Sequence, residues 1–180
     1  MEDMKNCEQT KGMSVLQHGE SVWAYTQKLI KKEWEDFKIP DWLSQNFEEI
    51  TSNLHDLDTM REYNVLHDCG KPYCLQIDPD GRRHFPDHAR VSKETYSRLP
   101  DSNPIAADLI GWDMVLHVST AEEIKEIGLS KKDAYTLLIT ALAEIHSNAN
   151  MFGGIESISF KSKWKKLERR GKMLIKEGLR

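Results

Sequence analysis

Apolar residues recur along this chain at helical spacing, interrupted at regular intervals by capping and turn residues. Val15, Val22, Leu29 and Ile30 share a face of a helix predicted over residues 14–35, with Ser14 placed to cap it. Pro40 precedes a second helix, 41–54, striped by Trp42, Leu43, Phe47, Ile50 and Leu54. A short helix, 59–68, follows. Over 74–85 the period changes: Leu75 and Ile77 alternate with polar neighbours, and Asp78-Pro79-Asp80-Gly81 spells a turn, so a small hairpin or loop is expected. Helices resume over 86–98 and over 104–117, the latter with Ile105, Leu109, Trp112 and Leu116 on one side. A short helix over 120–127 stops at Gly128. Ser130 opens a long buried helix through 147, carrying Leu137, Leu138, Ile139, Ala141, Leu142 and Ile145. After the break at Phe152-Gly153-Gly154, a basic helix runs over 159–177, its apolar face being Phe160, Trp164, Leu167, Met173 and Leu174. The pattern is all-α.

Length sharpens this to a flexible N-terminus over residues 1–13 and a single domain over 14–180 ending in the basic helix, since 180 residues are ordinary for one domain. Charged residues at 30% and apolar residues at 39% fit a soluble protein. No apolar run is long enough for a membrane and no signal peptide is visible, so a cytoplasmic location without membrane contact is expected. Cys7, Cys69 and Cys74 make no even framework and read as reduced thiols. The net charge of -4 conceals an asymmetry. Nine Lys and Arg against Glu168 and Glu177 give residues 159–180 a charge of +7, leaving -11 for the rest. A basic final helix on an acidic body suits an anionic partner such as a phosphate.

The candidate chemistry centres on His67-Asp68, within Val65-Leu66-His67-Asp68-Cys69-Gly70-Lys71-Pro72. Neighbours in a helix point about 100° apart and serve different faces. At a helix end, which Gly70 and Pro72 supply here, both can flank one metal. His55-Asp56 is the same dipeptide without the following Gly-Lys and reads as a loop decoration. Asp113 and His117, four apart, present a carboxylate and an imidazole on one helical face, and His84 and His88 are four apart as well.

His67-Asp-Cys-Gly-Lys-Pro together with Asp80-Gly-Arg-Arg-His-Phe-Pro-Asp-His88 resembles the HD superfamily of metal-dependent phosphohydrolases. The likeness is greatest to the HD modules beside tRNA nucleotidyltransferases and in HD-linked polynucleotide kinases, and it spans about residues 14–172. The resemblance implies an HD-type helical bundle with metal ligands His18, His67, Asp68, His88, Asp113 and His117. HD enzymes often place a last Asp on the long buried helix, where this chain has Ala143-Glu144-Ile145-His146. Asp113 or Glu144 then fills that place, and Asp113 is preferred. Mixed imidazole and carboxylate donors suit one or two ions of Mn, Co, Ni, Fe or Zn. The implied reaction is hydrolysis of phosphate esters by metal-activated hydroxide, with Asp68 and Lys71 catalytic and Lys71 and Arg90 holding substrate phosphate. The implied substrates are nucleotides or nucleic-acid ends carrying a 2′,3′-cyclic phosphate or a 2′- or 3′-phosphate. The alternatives are a nucleotidase, a dNTP or cyclic-dinucleotide hydrolase, or a degenerate HD module that only binds a nucleotide.

Overall fold

At Ser14, Asn103, Thr120, Ser130 and Ser157 a side-chain oxygen accepts from one of the first backbone N–H groups of the helix that follows. In the computed structural model, which describes residues 1–176, the elements in chain order are α1 (Glu2–Asn6), β1 (Glu8–Thr10), β2 (Met13–Ser14), α2 (Val15–Ile30), α3 (Asp41–Gln45), α4 (Phe47–Ser52), α5 (Leu57–Leu66) and α6 (Lys71–Cys74). They continue with β3 (Gln76–Ile77), β4 (Arg83–His84), α7 (His88–Ser97), α8 (Pro104–Gly111), α9 (Val115–Val118), α10 (Ala121–Ile127), α11 (Lys131–Ala149) and α12 (Ile158–Lys176). The chain is thus mostly helical. Ser14 and Gln17 bond reciprocally at the head of α2, with Gln17 N–H donating to Ser14 Oγ and Ser14 N–H to Gln17 Oε1. Full capping boxes head α10 (Thr120 with Glu123) and α11 (Ser130 with Asp133), each worth about 1 kcal/mol.

The chain falls into two compact units, Met1–Ser21 with Leu57–Asp113 and Val22–Asp56 with Met114–Arg180. In the first unit α7 packs on α8, α5 on α8 and α6 on α7. Met60, Tyr63, Tyr96, Leu109 and Ile110 are buried there. The first residues, which carry only a polar pattern, form α1 and the β1–β2 pair, and bury Met4 and Cys7. The hairpin expected after the His-Asp motif is present, with Gln76 opposite His84 and Ile77 opposite Arg83.

In the second unit α11 is the buried core helix, and α12 packs along it. The predicted helix 41–54 is two helices, because the chain turns at Asn46, whose side-chain amide bonds the Trp42 carbonyl. The helix predicted to 35 ends at Ile30, followed by Lys32 in the left-handed region. The basic helix is described as far as Lys176, while Glu177 and Arg180 lie outside the described residues. Trp164, predicted on its apolar face, is half-buried, donating Nε1–H to the Lys38 carbonyl beneath the Lys38 ammonium. No helix among the described residues is long and apolar enough to cross a membrane.

Candidate metal centre

The site begins with a glycine. In α2, Gly19 lies against the backbone of α5: a Cβ there would stand 2.2 Å from the Val65 carbonyl oxygen. Only a residue without a side chain permits that approach. It sets His18 beside His67, one residue beyond the end of α5, with ring centroids 5.3 Å apart and the rings edge to face. Each offers a ring nitrogen, and the two nitrogens lie within 4.8 Å.

Past α5 the chain makes a tight turn into α6, which has Gly70 as its N-cap and Pro72 in its first turn. Gly70 is also a close-approach position. Its N–H donates to Ser92 Oγ at 2.9 Å, and a Cβ would meet the Ser92 nitrogen at 2.3 Å. α6 is thereby seated on α7, whose first residue is His88. The preceding Asp87 adopts a left-handed conformation (φ 55°), which aspartate tolerates.

Asp68 is the centre of the cluster. Its Oδ2 lies 3.2 Å from His67 Nε2, 3.8 Å from His18 Nε2 and 2.6 Å from Lys71 Nζ, and its Oδ1 lies 3.7 Å from His88 Nε2. His18, His67 and Asp68 are almost wholly buried. Burial works against the Asp68 charge, but the positive neighbours His67, Lys71 and His18 outweigh it and hold the carboxyl well below the ordinary carboxylate range. Asp68 is therefore an anion in the interior, able to bind a cation.

Tautomers follow from the backbone. His67 Nδ1 lies 2.8 Å from the Asn64 carbonyl, and His88 Nδ1 lies 3.0 Å from the Phe85 carbonyl. A carbonyl only accepts, so both Nδ1 atoms carry a proton, and in the neutral form of each ring Nε2 is the atom left to offer a lone pair to a metal ion. Metal-bound histidines are oriented in this way by their second nitrogen. The donor set of imidazole nitrogens and one carboxylate suits a divalent transition metal. The buried Asp68 Oδ1, which has no hydrogen-bond partner among the described residues, is an acceptor that such an ion would satisfy. His18 and His67 each offer a ligand atom to a group that could hold a metal ion.

The other predicted residues take varied places. Lys71 is buried, with one Nζ proton on Asp68, one on Gln9 Oε1 at 3.1 Å, and the Phe85 ring 5.2 Å away. Asp113, also buried in the first unit, accepts the Tyr63 hydroxyl at 2.8 Å. Arg90 is exposed and directed to Asp87 and Glu94, both at 2.5 Å, rather than to Asp68. His84 bonds Asp78 across the hairpin. His117 belongs to the second unit, where its Nε2 is 3.3 Å from Glu144. The single helical face predicted for Asp113 and His117 does not form: α8 ends at Gly111, a tight turn follows, and α9 starts at Val115. His55, read as a decoration, bonds Asp133 at 2.8 Å and braces the start of α11.

Sequence reasoning overlooked Gly19, Gln9 and Tyr63. Gly19 had a signal, a lone glycine inside a helical pattern and next to a histidine. Gln9 and Tyr63 had none, because their contacts join segments far apart in the chain. The chain matches no family model, no curated protein and no solved structure.

Proposed function

We propose that this protein is an HD-type metal-dependent phosphohydrolase acting on phosphate esters of nucleotides or nucleic-acid ends. The observation that carries the proposal is the convergence of His18, His67 and His88 on the buried Asp68, with the Nδ1 protons of His67 and His88 committed to backbone carbonyls. A divalent transition metal held there would supply Lewis-acid activation of water and of a phosphoryl oxygen. The chain's own residues do the rest. Asp68 stays ionised through the neutral range and fixes the charge of the site. His67 and His88 offer Nε2 as lone-pair donors. Two of the three Lys71 protons are engaged, by Asp68 and Gln9, and the third is open to a phosphate oxygen.

The test is hydrolysis of a panel of 2′,3′-cyclic nucleotides, 3′-phosphorylated RNA, nucleoside monophosphates, dNTPs and cyclic dinucleotides with Mn²⁺, Co²⁺ or Ni²⁺. Turnover that disappears in Asp68→Asn is the expected result. A folded, metal-loaded protein that cleaves no member of the panel refutes it. A second reading draws on the Lys71–Asp68 pair: with its carboxylate already neutralised at 2.6 Å, the cluster would be a nucleotide-binding module without hydrolysis. That reading predicts a purified protein with no stoichiometric transition metal.

A further inference from the structure

The exposed cations of α12 gather on one side of the helix. At about 100° per residue, Lys161, Lys165, Arg169, Lys172 and Lys176 fall within an arc of about 80° and extend about 22 Å along the axis. All five are exposed. Phe160, Leu167, Gly171 and Leu174 are buried on the opposite side. A Cβ at Gly171 would stand 2.4 Å from Trp42 Nε1, so close packing fixes which face turns outward. Helix stability does not account for the stripe. Lys161 and Lys165 lie in the N-terminal half, against the helix dipole, and the first turn holds no acidic residue. Lys161–Lys165, Lys165–Arg169 and Lys172–Lys176 are like-charge pairs four apart, each of which destabilises the helix. Relief within the chain is partial: Lys161 pairs with Glu156 at 2.7 Å, and Lys172 with Glu168 at 2.6 Å and Asp41 at 3.9 Å. Lys165, Arg169 and Lys176 have no ion pair or hydrogen bond among the described residues.

The stripe continues into apolar surface. Ile158, at the head of α12 and on the same arc, is 89% exposed, and Ile155 is exposed in the turn before it. An isoleucine side chain finds no complement on a phosphodiester backbone, whereas the interface of an anionic bilayer receives both cations and aliphatic groups. Residues 159–180 carry +7 and the rest of the chain -11, so an anionic surface attracts this helix and repels the remainder. We propose that α12 lays this face on an anionic bilayer surface, with its cations on the lipid phosphates and Ile158 in the interface. Such contact is distinct from spanning, for which no helix among the described residues is long and apolar enough. Run length, on which the expectation of no membrane contact rests, speaks to spanning alone. The proposal stands apart from metal-dependent hydrolysis and does not require it.

The test is flotation of the full-length protein with vesicles of two parts phosphatidylcholine to one part phosphatidylserine, beside vesicles of phosphatidylcholine alone. The protein should float with the first and not with the second, and high salt should release it. Lys165→Gln should weaken vesicle binding about fivefold, the worth of one cation near an anionic surface. Lys163→Gln removes the same charge from the same helix about 160° away, and should change binding less than about twofold, because a charge on the far side is screened. Both lysines are exposed, so both variants fold as the parent. Ile158→Gln should weaken binding about tenfold through lost apolar burial. Asp68→Asn should bind vesicles as the parent does, so a failure of the enzyme reading leaves this result untouched. A protein that stays with neither vesicle overturns the proposal. Equal losses in Lys163→Gln and Lys165→Gln overturn it too, since net charge and not a face would then govern, as does an Ile158→Gln that binds like the parent. Binding to a single-stranded oligonucleotide that Lys165→Gln weakens, without vesicle binding, gives the face to nucleic acid and overturns the bilayer.

Discussion

Replacing Gly19 by alanine opposes two effects of known size. Inside α2 the change should stabilise the helix by about 0.8–1.0 kcal/mol, because glycine has the poorer helix propensity. Against this, the new Cβ would stand 2.2 Å from the Val65 oxygen, 2.8 Å from its carbonyl carbon and 3.0 Å from its Cα. All three are backbone atoms of a packed helix and cannot rotate away. Restoring ordinary contact requires the local backbones to part by about 1 Å, a gap that forfeits up to half of the dispersion attraction along that contact. Overpacking of this kind costs about 1–3 kcal/mol, and so severe a clash belongs at the top of the range. The net effect is a destabilisation of about 2 kcal/mol, or roughly 4–8 °C in Tm for a chain of this size.

The displacement also bears on chemistry, since His18 adjoins Gly19 and His67 lies two residues past Val65. Cobalt affinity, followed by visible absorption, should fall about tenfold or more, as it does when ligand-orienting contacts are lost. Gly111→Ala is the control. Its Cβ would meet the Cδ of Lys93, a flexible side chain able to move, so stability should change by no more than about 0.5 kcal/mol. The reasoning is refuted if Gly19→Ala melts at or above the parent temperature, for helix propensity would then have outweighed a contact too loose to matter.

Three further predictions rest on buried groups. Lys71→Met removes the cation 2.6 Å from a buried carboxylate and should destabilise the metal-free protein by about 3–5 kcal/mol, with added Mn²⁺ or Co²⁺ recovering much of the loss; a thermal melt with and without metal decides. Burial first, and the Asp68 charge second, push the Cys69 thiol up to about 12, so only about 10⁻⁴ is thiolate at pH 8; mass spectrometry after iodoacetamide treatment should find Cys69 unmodified in the native protein and modified once unfolded. His146 is pushed below its ordinary 6.5 by burial, against its bond to the Leu142 carbonyl. The unfolded chain then binds more protons than the native one, so the His146 contribution is complete above pH 6.5 and is lost as pH falls from there toward the depressed value. Urea midpoints between pH 7.5 and 5 should decline more steeply for the parent than for His146→Gln, and parallel slopes would remove histidine from the account.

Local signals were legible wherever one stretch of chain decides the outcome. Ser14, Ser130 and Gly128 announced helix ends because a cap is settled within three or four residues. The turn at Asp78-Pro79-Asp80-Gly81 announced the hairpin for the same reason, and the apolar run of α11 announced its burial. Within the candidate site, the His67-Asp68 pair could be read at a helix end because Gly70 and Pro72 follow it. Periodicity failed where a turn interrupts an apolar stripe without disturbing it. Trp112 and Leu116 keep the spacing of one helix, yet the chain leaves α8 at Gly111 and resumes at Val115. The four-residue relation of Asp113 to His117 had meaning only on a continuous helix.

What a single sequence withholds is mostly the identity of contacts between distant segments, and in the first unit these contacts specify the chemistry. Asp68 draws its neighbours from α2 (His18), from the residue before it (His67), from α6 (Lys71) and from the start of α7 (His88). Two glycines make this assembly possible by removing a Cβ where backbones meet, Gly19 against Val65 and Gly70 against Ser92. Their role is invisible to composition and hydropathy, because an absent side chain leaves no pattern. Each nevertheless sits beside or within three residues of a cluster histidine or aspartate, which is where close packing must be tightest if ligand atoms from separate helices are to meet. In an all-helical chain, a helix-interior glycine adjoining a histidine is therefore a stronger pointer to a built site than the histidine alone. The Gly19→Ala comparison tests that inference at the position where the two opposing energies are best defined.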